Sequence, residues 1–229
     1  MYHANSISVA FFQSMNFDFH LLNNLPGAIG FKDLNSVYLA GNTRLVKDMG
    51  YKRPQEIVGC TDFEIKSDMV SLASTFRAHD KQVLQSGEHQ VIDTGVYPDG
   101  VFRAHLSTKK PLINSSGAII GTVFYRVELH SNFLRKLHSR INLSSAPGCY
   151  HLGGKFDAEN LSSREAETLF YLIRGYSAKE ISLRLNLSSK TIEYYIEQLK
   201  VKFSSRKRSE LIEQAIESGF IFNFPRSLL

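Results

Sequence analysis

Four side chains able to make directional polar contacts, Lys190, Glu193, Tyr194 and Glu197, recur at i, i+3, i+4 and i+7 and so share one face of a helix. Ile192, Ile196, Leu199 and Phe203 fall at i, i+4, i+7 and i+11 on the other side, which marks that side as the buried stripe. A cation, two carboxylates and a phenol turned outward together could address base edges, because each base pair presents its own pattern of donors and acceptors in a major groove. Lys190 could reach guanine or phosphate, Glu193 could accept from a cytosine amino group, and Tyr194 could touch a thymine methyl or a phosphate. A solvated helix face carries the same residue types, so the surroundings must decide.

Those surroundings agree with one another. Leu161-Ser162 is followed by Glu165, Tyr176-Ser177 by Glu180 and Ile181, and Leu187-Ser188 by Thr191 and Ile192. Each serine can accept an orphan amide hydrogen at a helix start, and the glutamates can reach back to close a capping box. The spacing predicts helices over 163–174, 178–185, 189–203 and 208–218, the last ended by Gly219. Ala166, Leu169 and Ile173, then Ile181 and Leu185, then Leu211, Ala215 and Ile216 supply the apolar faces of a small bundle. Only Asn186-Leu187 joins the second helix to the third, which forces a sharp crossing of the helix-turn-helix kind. Lys200, Lys202, Arg206, Lys207 and Arg208 crowd the exit of the third helix, where a phosphate backbone could run.

Composition sets the outer bounds. A chain of 229 residues accommodates two ordinary domains, and 43% hydrophobic with 21% charged residues predicts packed cores rather than disorder. The net charge of +5 favours a polyanionic partner only mildly. Cys60 and Cys149 form neither a CxxC pair nor a His-containing metal spacing, which argues against a disulfide framework or structural zinc. With no membrane-length apolar run and no signal-peptide pattern at the start, a cytoplasmic location is expected. Glycine-rich phosphate loops, GxSxG, HExxH and kinase signatures are lacking, so no enzyme is expected.

The N-terminal two thirds reads as an α+β unit. A helix over Ile7–Met15 precedes strands at Ala28–Lys32 and Val37–Ala40, and Met69–Ser86 forms a helix stopped by Gly87. His89–Tyr97, Val101–Ile113 and Ala118–Leu129 then make an antiparallel meander with turns at Pro98-Asp99-Gly100 and Asn114-Ser115-Ser116-Gly117. Phe133, Leu137 and Ile141 mark one face of a short helix, either a dimer seam or a face packed on its own domain. Residues 144–154 lack periodicity and read as a linker.

Leu161-Ser162-x-Arg164-Glu165, then Gly175-Tyr176-Ser177-Ala178-Lys179-Glu180-Ile181, then Leu187-Ser188-x-x-Thr191-Ile192 resembles the LuxR/FixJ-type helix-turn-helix domain over about residues 156–220. The resemblance implies an all-α four-helix domain whose third helix enters the major groove and whose fourth often helps dimerise. It implies DNA contacts from Lys190, Thr191, Glu193, Tyr194, Glu197, Lys200, Lys202, Lys179, Ser188 and Arg206. Glu193 and Glu197 stand where many members carry basic residues, Tyr195 where many carry histidine, and Ser204-Ser205 where a glycine commonly follows the third helix. The element order from Leu25 to Leu129, with Asn42, Gly50-Tyr51, Glu56-Ile57-Val58-Gly59, Asp80, Gly87-Glu88 and Gly121, is similar to a PAS domain, an antiparallel sheet with helices that encloses a small-molecule or cofactor cavity. His79 stands roughly where haem-binding members carry an iron ligand, although a surface or capping role is the plainer account. Cys60 lacks the sequence context of a flavin photoreceptor and reads as a buried, inert thiol. His105 and Arg103 share a strand face directed either to a polar pocket or to water.

The expected organisation is an N-terminal helical extension at 1–20, a PAS-like sensor at 21–129, a signalling helix and linker at 130–155, and the LuxR-type domain at 156–229. The expected function is a transcriptional regulator that binds double-stranded DNA as a homodimer, with RNA polymerase as a further partner and a ligand held by the sensor. The alternative is a protein-interaction or anti-regulatory module that keeps the helix-turn-helix fold while its acidic face has left DNA.

Overall fold

The computed structural model describes residues 19–129 and 147–228, so the helices expected at Ile7–Met15 and Phe133–Ile141 lie outside the described residues. Two compact units emerge, the first taking described residues 19–129 and 147–149 and the second 150–228.

In the first unit, β1 (Ala28–Asp33), β2 (Tyr38–Gly41), β3 (His89–Val96), β4 (Phe102–Ile113) and β5 (Ile119–Glu128) lie in the order β2-β1-β5-β4-β3, with all neighbours antiparallel. The turns behave as their residues require. Gly100 and Gly117 take φ of 77° and 83°, and the Asn114 carboxamide oxygen accepts from the Ser116 and Ala118 amides at 3.0 and 2.9 Å. Between β2 and β3 run α1 (Thr43–Asp48), short 3-10 turns and α2 (Ala73–Ser86). The expected Met69–Ser86 helix is shorter than its pattern suggests, because residues 68–72 form a 3-10 turn. Asn42 fastens α1 to the sheet: its side-chain oxygen accepts from the Ile29 and Leu45 amides, each at 3.1 Å, and its amide group donates to Gly27 O at 2.9 Å. Ala28, Tyr38, Leu45, Val46, Met49, Ile57 and Phe124 form the apolar core beneath it.

In the second unit, α4 (Ser163–Leu172), α5 (Ala178–Leu185), α6 (Ser189–Lys202) and α7 (Arg208–Glu217) follow a short α3 (Lys155–Ala158). Both capping boxes close: the Ser162 and Ser177 amides donate to Glu165 and Glu180 at 2.7 and 2.8 Å, and the two glutamate amides donate back to the serine hydroxyls at 3.3 Å. Asn186 adopts the left-handed conformation, φ 54° and ψ 49°, which turns the chain sharply from α5 into α6. Ala166, Leu169, Ile173, Ile181, Leu185, Ile192, Ile196, Leu199, Leu211 and Ala215 are buried as their spacing predicts. Ile216 is not; it is 42% exposed, because α7 turns only Leu211 and Ala215 fully inward.

The segment expected as a linker carries a strand, β6 (Gly148–Leu152), which pairs parallel with β7 (Asn223–Phe224) through His151↔Asn223 and Leu152↔Phe224. Phe224 stacks edge-on to Phe170 at 5.1 Å, so the C-terminal end is tied into the bundle core.

Candidate nucleic-acid interface and sensor cavity

The exposed side of α6 is built by its cap. Thr191 N donates to Ser188 Oγ at 3.0 Å and the two hydroxyls lie 2.8 Å apart, which fixes the first turn and leaves the helix N-terminus facing solvent, a favourable place for an anion. With Ile192, Ile196 and Leu199 buried below, Lys190, Glu193, Tyr194 and Glu197 are all exposed on one face, as their spacing predicts. Lys179 is exposed near the start of α5.

The basic exit is arranged less simply. Lys200 Nζ lies 2.9 Å from both Glu197 oxygens, so the face that looks acidic in sequence is locally neutralised. Lys202 reaches away from this face to the Glu165 carboxylate at 2.8 Å and Asn160 O at 3.2 Å. Burial pushes the Glu165 carboxyl up, but the bonds from Lys202 and Ser162 outweigh it and leave it below its usual value. Arg206 is exposed, and its amide donates to Glu210 at 2.8 Å at the start of α7. Ser204, where the family commonly has glycine, takes the left-handed φ of 53° that glycine suits.

The sensor unit encloses a cavity of about 30 Å³ whose lining includes Lys32, Tyr38, Met49, Met69, Asp93 and Arg126. Lys32 Nζ bonds Asp62 at 2.6 Å and Asp80 at 3.0 Å, Lys109 Nζ bonds the other Asp80 oxygen, and the Tyr38 hydroxyl donates to Asp62 at 2.8 Å. Arg126 pairs with Asp48 at 3.0 Å. Burial opposes charge on Asp80, yet Lys32 and Lys109 outweigh it and hold its carboxyl well below the usual range. For Lys32, burial is likewise outweighed, here by Asp62, Tyr38 and Asp80, so the ammonium stays charged. His105 is 1% exposed and hydrogen-bonded to the Tyr97 hydroxyl at 2.8 Å; burial and then Arg126, Arg44 and Arg103 push its imidazole down to about 2. The shared strand face thus divides: His105 is interior, while Arg103 pairs at the surface with Asp99 at 2.6 Å.

His79 is buried rather than at the surface, packing on His89 with ring centroids 4.4 Å apart, and it does not line the cavity. A small chamber walled by ion pairs does not fit a porphyrin, so these residues lend no support to haem, the less favoured account of His79 in the sequence. Cys60 is half-buried, not buried, and donates to Glu56 O at 3.3 Å. The ionic cluster itself escapes sequence reasoning, which names Asp80 only as part of the PAS resemblance and does not join it to Lys32, Asp62 and Lys109.

Comparison with known proteins agrees with both halves. Residues 159–215 match the family described as bacterial regulatory proteins, luxR family, and residues 22–130 match a PAS fold family. A solved structure of the Vibrio cholerae VqmA dimer, described as undergoing a large conformational shift in the absence of target DNA and as informing DNA binding by LuxR-type receptors, is 34% identical over 92% of this chain and 90% of that one, with a TM-score of 0.51. VqmA bound to DPO is 33% identical over the same shares, with a TM-score of 0.49. The transcriptional activator ExaE of Pseudomonas putida is 33% identical over 69 residues, 30% of this chain and 32% of that protein. The chain spans only about a third of the length of such curated relatives. No helix among the described residues is long and apolar enough to cross a membrane. The chain belongs to the LuxR family of bacterial regulatory proteins, with a PAS-fold unit preceding its helix-turn-helix domain.

Proposed function

We propose that the chain binds duplex DNA as a homodimer by laying α6 in the major groove, with Lys190, Glu193, Tyr194 and Glu197 at base edges. Ser188, Thr191 and the α6 N-terminus meet phosphate, flanked by Lys179, Lys200, Lys202 and Arg206. Lys200 and Lys202 exchange their carboxylate partners for phosphates on binding. The observation that carries this is the single exposed polar face of α6 above the buried Ile192, Ile196 and Leu199, with Phe203 half-buried at the end of the stripe, opening at a solvent-facing capped N-terminus. The exposed Ile216 on α7 supplies an apolar contact for the second copy. VqmA, described as a dimer with a target DNA, supports the same assembly here.

The sensor cavity holds a small polar molecule that biases the pair of reading heads, and the protein acts in the cytoplasm. RNA polymerase is a further partner of the DNA-bound form. The test is affinity for a duplex selected from a random library, measured against salt. The logarithm of the binding constant should fall steeply with that of salt, by ~0.9 per phosphate neutralised. Lys190→Ala should weaken binding and flatten that slope, while an indifferent response to salt and to both Lys190→Ala and Lys200→Ala would favour the protein-interaction alternative.

A further inference from the structure

Glu128, the last residue of β5, is held from two sides: one carboxylate oxygen accepts from Arg44 Nη2 at 2.8 Å and the other lies 3.4 Å from Arg103 Nε. Arg103 is itself fixed by Asp99, through two of its nitrogens at 2.7 and 2.6 Å. Arg44, near the start of α1, turns its Nε to Asp48, one helical turn further on, at 3.1 Å. Asp48 is the junction. Its Oδ1 accepts from Arg44 and its Oδ2 accepts from Arg126 at 3.0 Å, so one carboxylate that is itself buried serves both a surface arginine and a buried one. Asp48 also lines both the sensor cavity and a surface groove that contains Arg44 and Arg103. The outcome is an unbroken chain of ion pairs, Arg126–Asp48–Arg44–Glu128–Arg103, that begins at the cavity wall and ends at the strand terminus from which the polypeptide leaves the sensor sheet.

We propose that Asp48 and Arg44 are positioning residues that carry the state of the sensor cavity to Glu128, and so to the exit of the sensor. This rests on the reading of the cavity as the sensing site, but not on what the cavity holds. Two features make the chain of pairs responsive. At the cavity end, Arg126 donates to Asp48 through a terminal nitrogen while its buried Nε has no partner, so the guanidinium is held from one side and can be turned by a change in the cavity. At the surface end, Arg44 divides its planar fork between two acids, and a shift of either one redirects the fork at the other. Coupling over a distance needs contiguous contacts with two discrete arrangements. Here they are Arg44 bridging Asp48 and Glu128, and Arg44 on Glu128 alone with Asp48 given over to Arg126. Exposed ion pairs add little to stability by themselves, so a purely stabilising role explains this arrangement poorly. Tyr97 offers a competing path, since its ring centre lies 5.6 Å from the Arg103 guanidinium and 5.8 Å from that of Arg126.

The test is a double-mutant cycle in the full chain. Ser107 lines the cavity and faces Arg126 across β4 and β5, so Ser107→Val fills the cavity without removing a member of the ionic chain. Affinity for the selected duplex is measured for the parent, Ser107→Val, Arg44→Gln and the double variant. Ser107→Val should change the affinity at least about threefold in the parent and less than about 1.5-fold in the Arg44→Gln background. Arg44→Lys keeps the charge but cannot bridge two acids, so it should behave as Arg44→Gln does; full rescue by lysine overturns the bridge. Equal responses to Ser107→Val in both backgrounds overturn the relay and leave the cavity in control by another path, such as Tyr97. No response in either background takes the relay and the cavity reading down together. Retention of dispersed 13C-methyl signals from Met49 and Met69 shows that Ser107→Val folds; if they collapse, Ser107→Thr, one methyl larger than serine, serves the same comparisons. Should the parent select no duplex, the cycle is read on the Arg103 Nε–H signal of 15N-arginine-labelled chain. That signal should move with Ser107→Val in the parent and stay in place in Arg44→Gln, and movement in both or in neither overturns the relay whatever the protein binds.

Discussion

Replacing Lys32 with methionine tests the ionic cluster under the sensor sheet. Lys32→Met keeps most of the side-chain volume and removes the ammonium that lies 2.6 Å from Asp62 and 3.0 Å from Asp80. Asp80 retains Lys109, but Asp62 keeps only the Tyr38 hydroxyl among its partners here. Breaking one side of a buried ion pair costs about 3–5 kcal/mol. A second route bounds that figure, since an abandoned carboxylate can take up a proton instead. For a carboxyl group of ordinary acidity, near ~3.9, doing so at pH 7 costs about 1.36 kcal/mol per pH unit over about three units, or roughly 4 kcal/mol. At pH 5 the same route costs only roughly 1.5 kcal/mol. The loss of sensor stability should therefore be about 3–4 kcal/mol at pH 7 and shrink by more than half at pH 5. Urea unfolding followed through the Met49 and Met69 methyl signals reads the sensor unit alone. A loss below about 1 kcal/mol at pH 7, or one that ignores pH, would refute the claim that Lys32 compensates both carboxylates.

Three further outcomes follow from particular contacts. His105 is neutral in the fold at about 2 and ordinary when unfolded at about 6.5, so the unfolded chain binds the extra proton and sensor stability is lost as pH falls below 6.5, by about 2 kcal/mol at pH 5; a His105→Gln variant should lose that part of the slope in the same urea experiment. Ser204→Gly relieves a left-handed residue, a strain of about 1–2 kcal/mol, against roughly 0.5–1 kcal/mol of added unfolded-state entropy, so the helix-turn-helix melting temperature should rise slightly, and a fall would count against the Ser204 geometry. Glu197→Gln releases Lys200 and should tighten binding to non-specific duplex several-fold at 50 mM salt with little effect at 300 mM, whereas equal effects at both would show that the Glu197–Lys200 pair does not restrain the face.

What could be read from sequence was local. The caps at Ser162, Ser177 and Ser188 act over three residues, and the buried stripe of α6 repeats within one helix, so spacing alone fixes which side faces out. The sensor strands were legible for the same reason, through their turns at Gly100 and Gly117. The ionic cluster was not, because Lys32 meets Asp62 and Asp80 across 30 and 48 positions and nothing local distinguishes an interior lysine from a surface one. Its faint signal was Lys32 standing directly after the apolar run Ala28–Phe31. Strand β6 escaped because its partner in the second unit lies some seventy residues later and the pairing is too short to impose a pattern. Ile216 shows the limit of periodicity, which placed it inward when α7 had already filled its contact with Leu211 and Ala215.

The central claim is that the exposed face of α6 enters a DNA groove, and tethered cleavage tests it most directly. With Cys60 and Cys149 replaced, iron–EDTA attached at a Tyr194→Cys position would cut DNA wherever that face lies. Two clusters of cuts centred on major-groove positions about one helical turn apart, lost when the tether is moved to the buried side at Leu199, are the result the proposal predicts. Cutting that is absent on every selected duplex, or spread evenly with no groove preference, would contradict it.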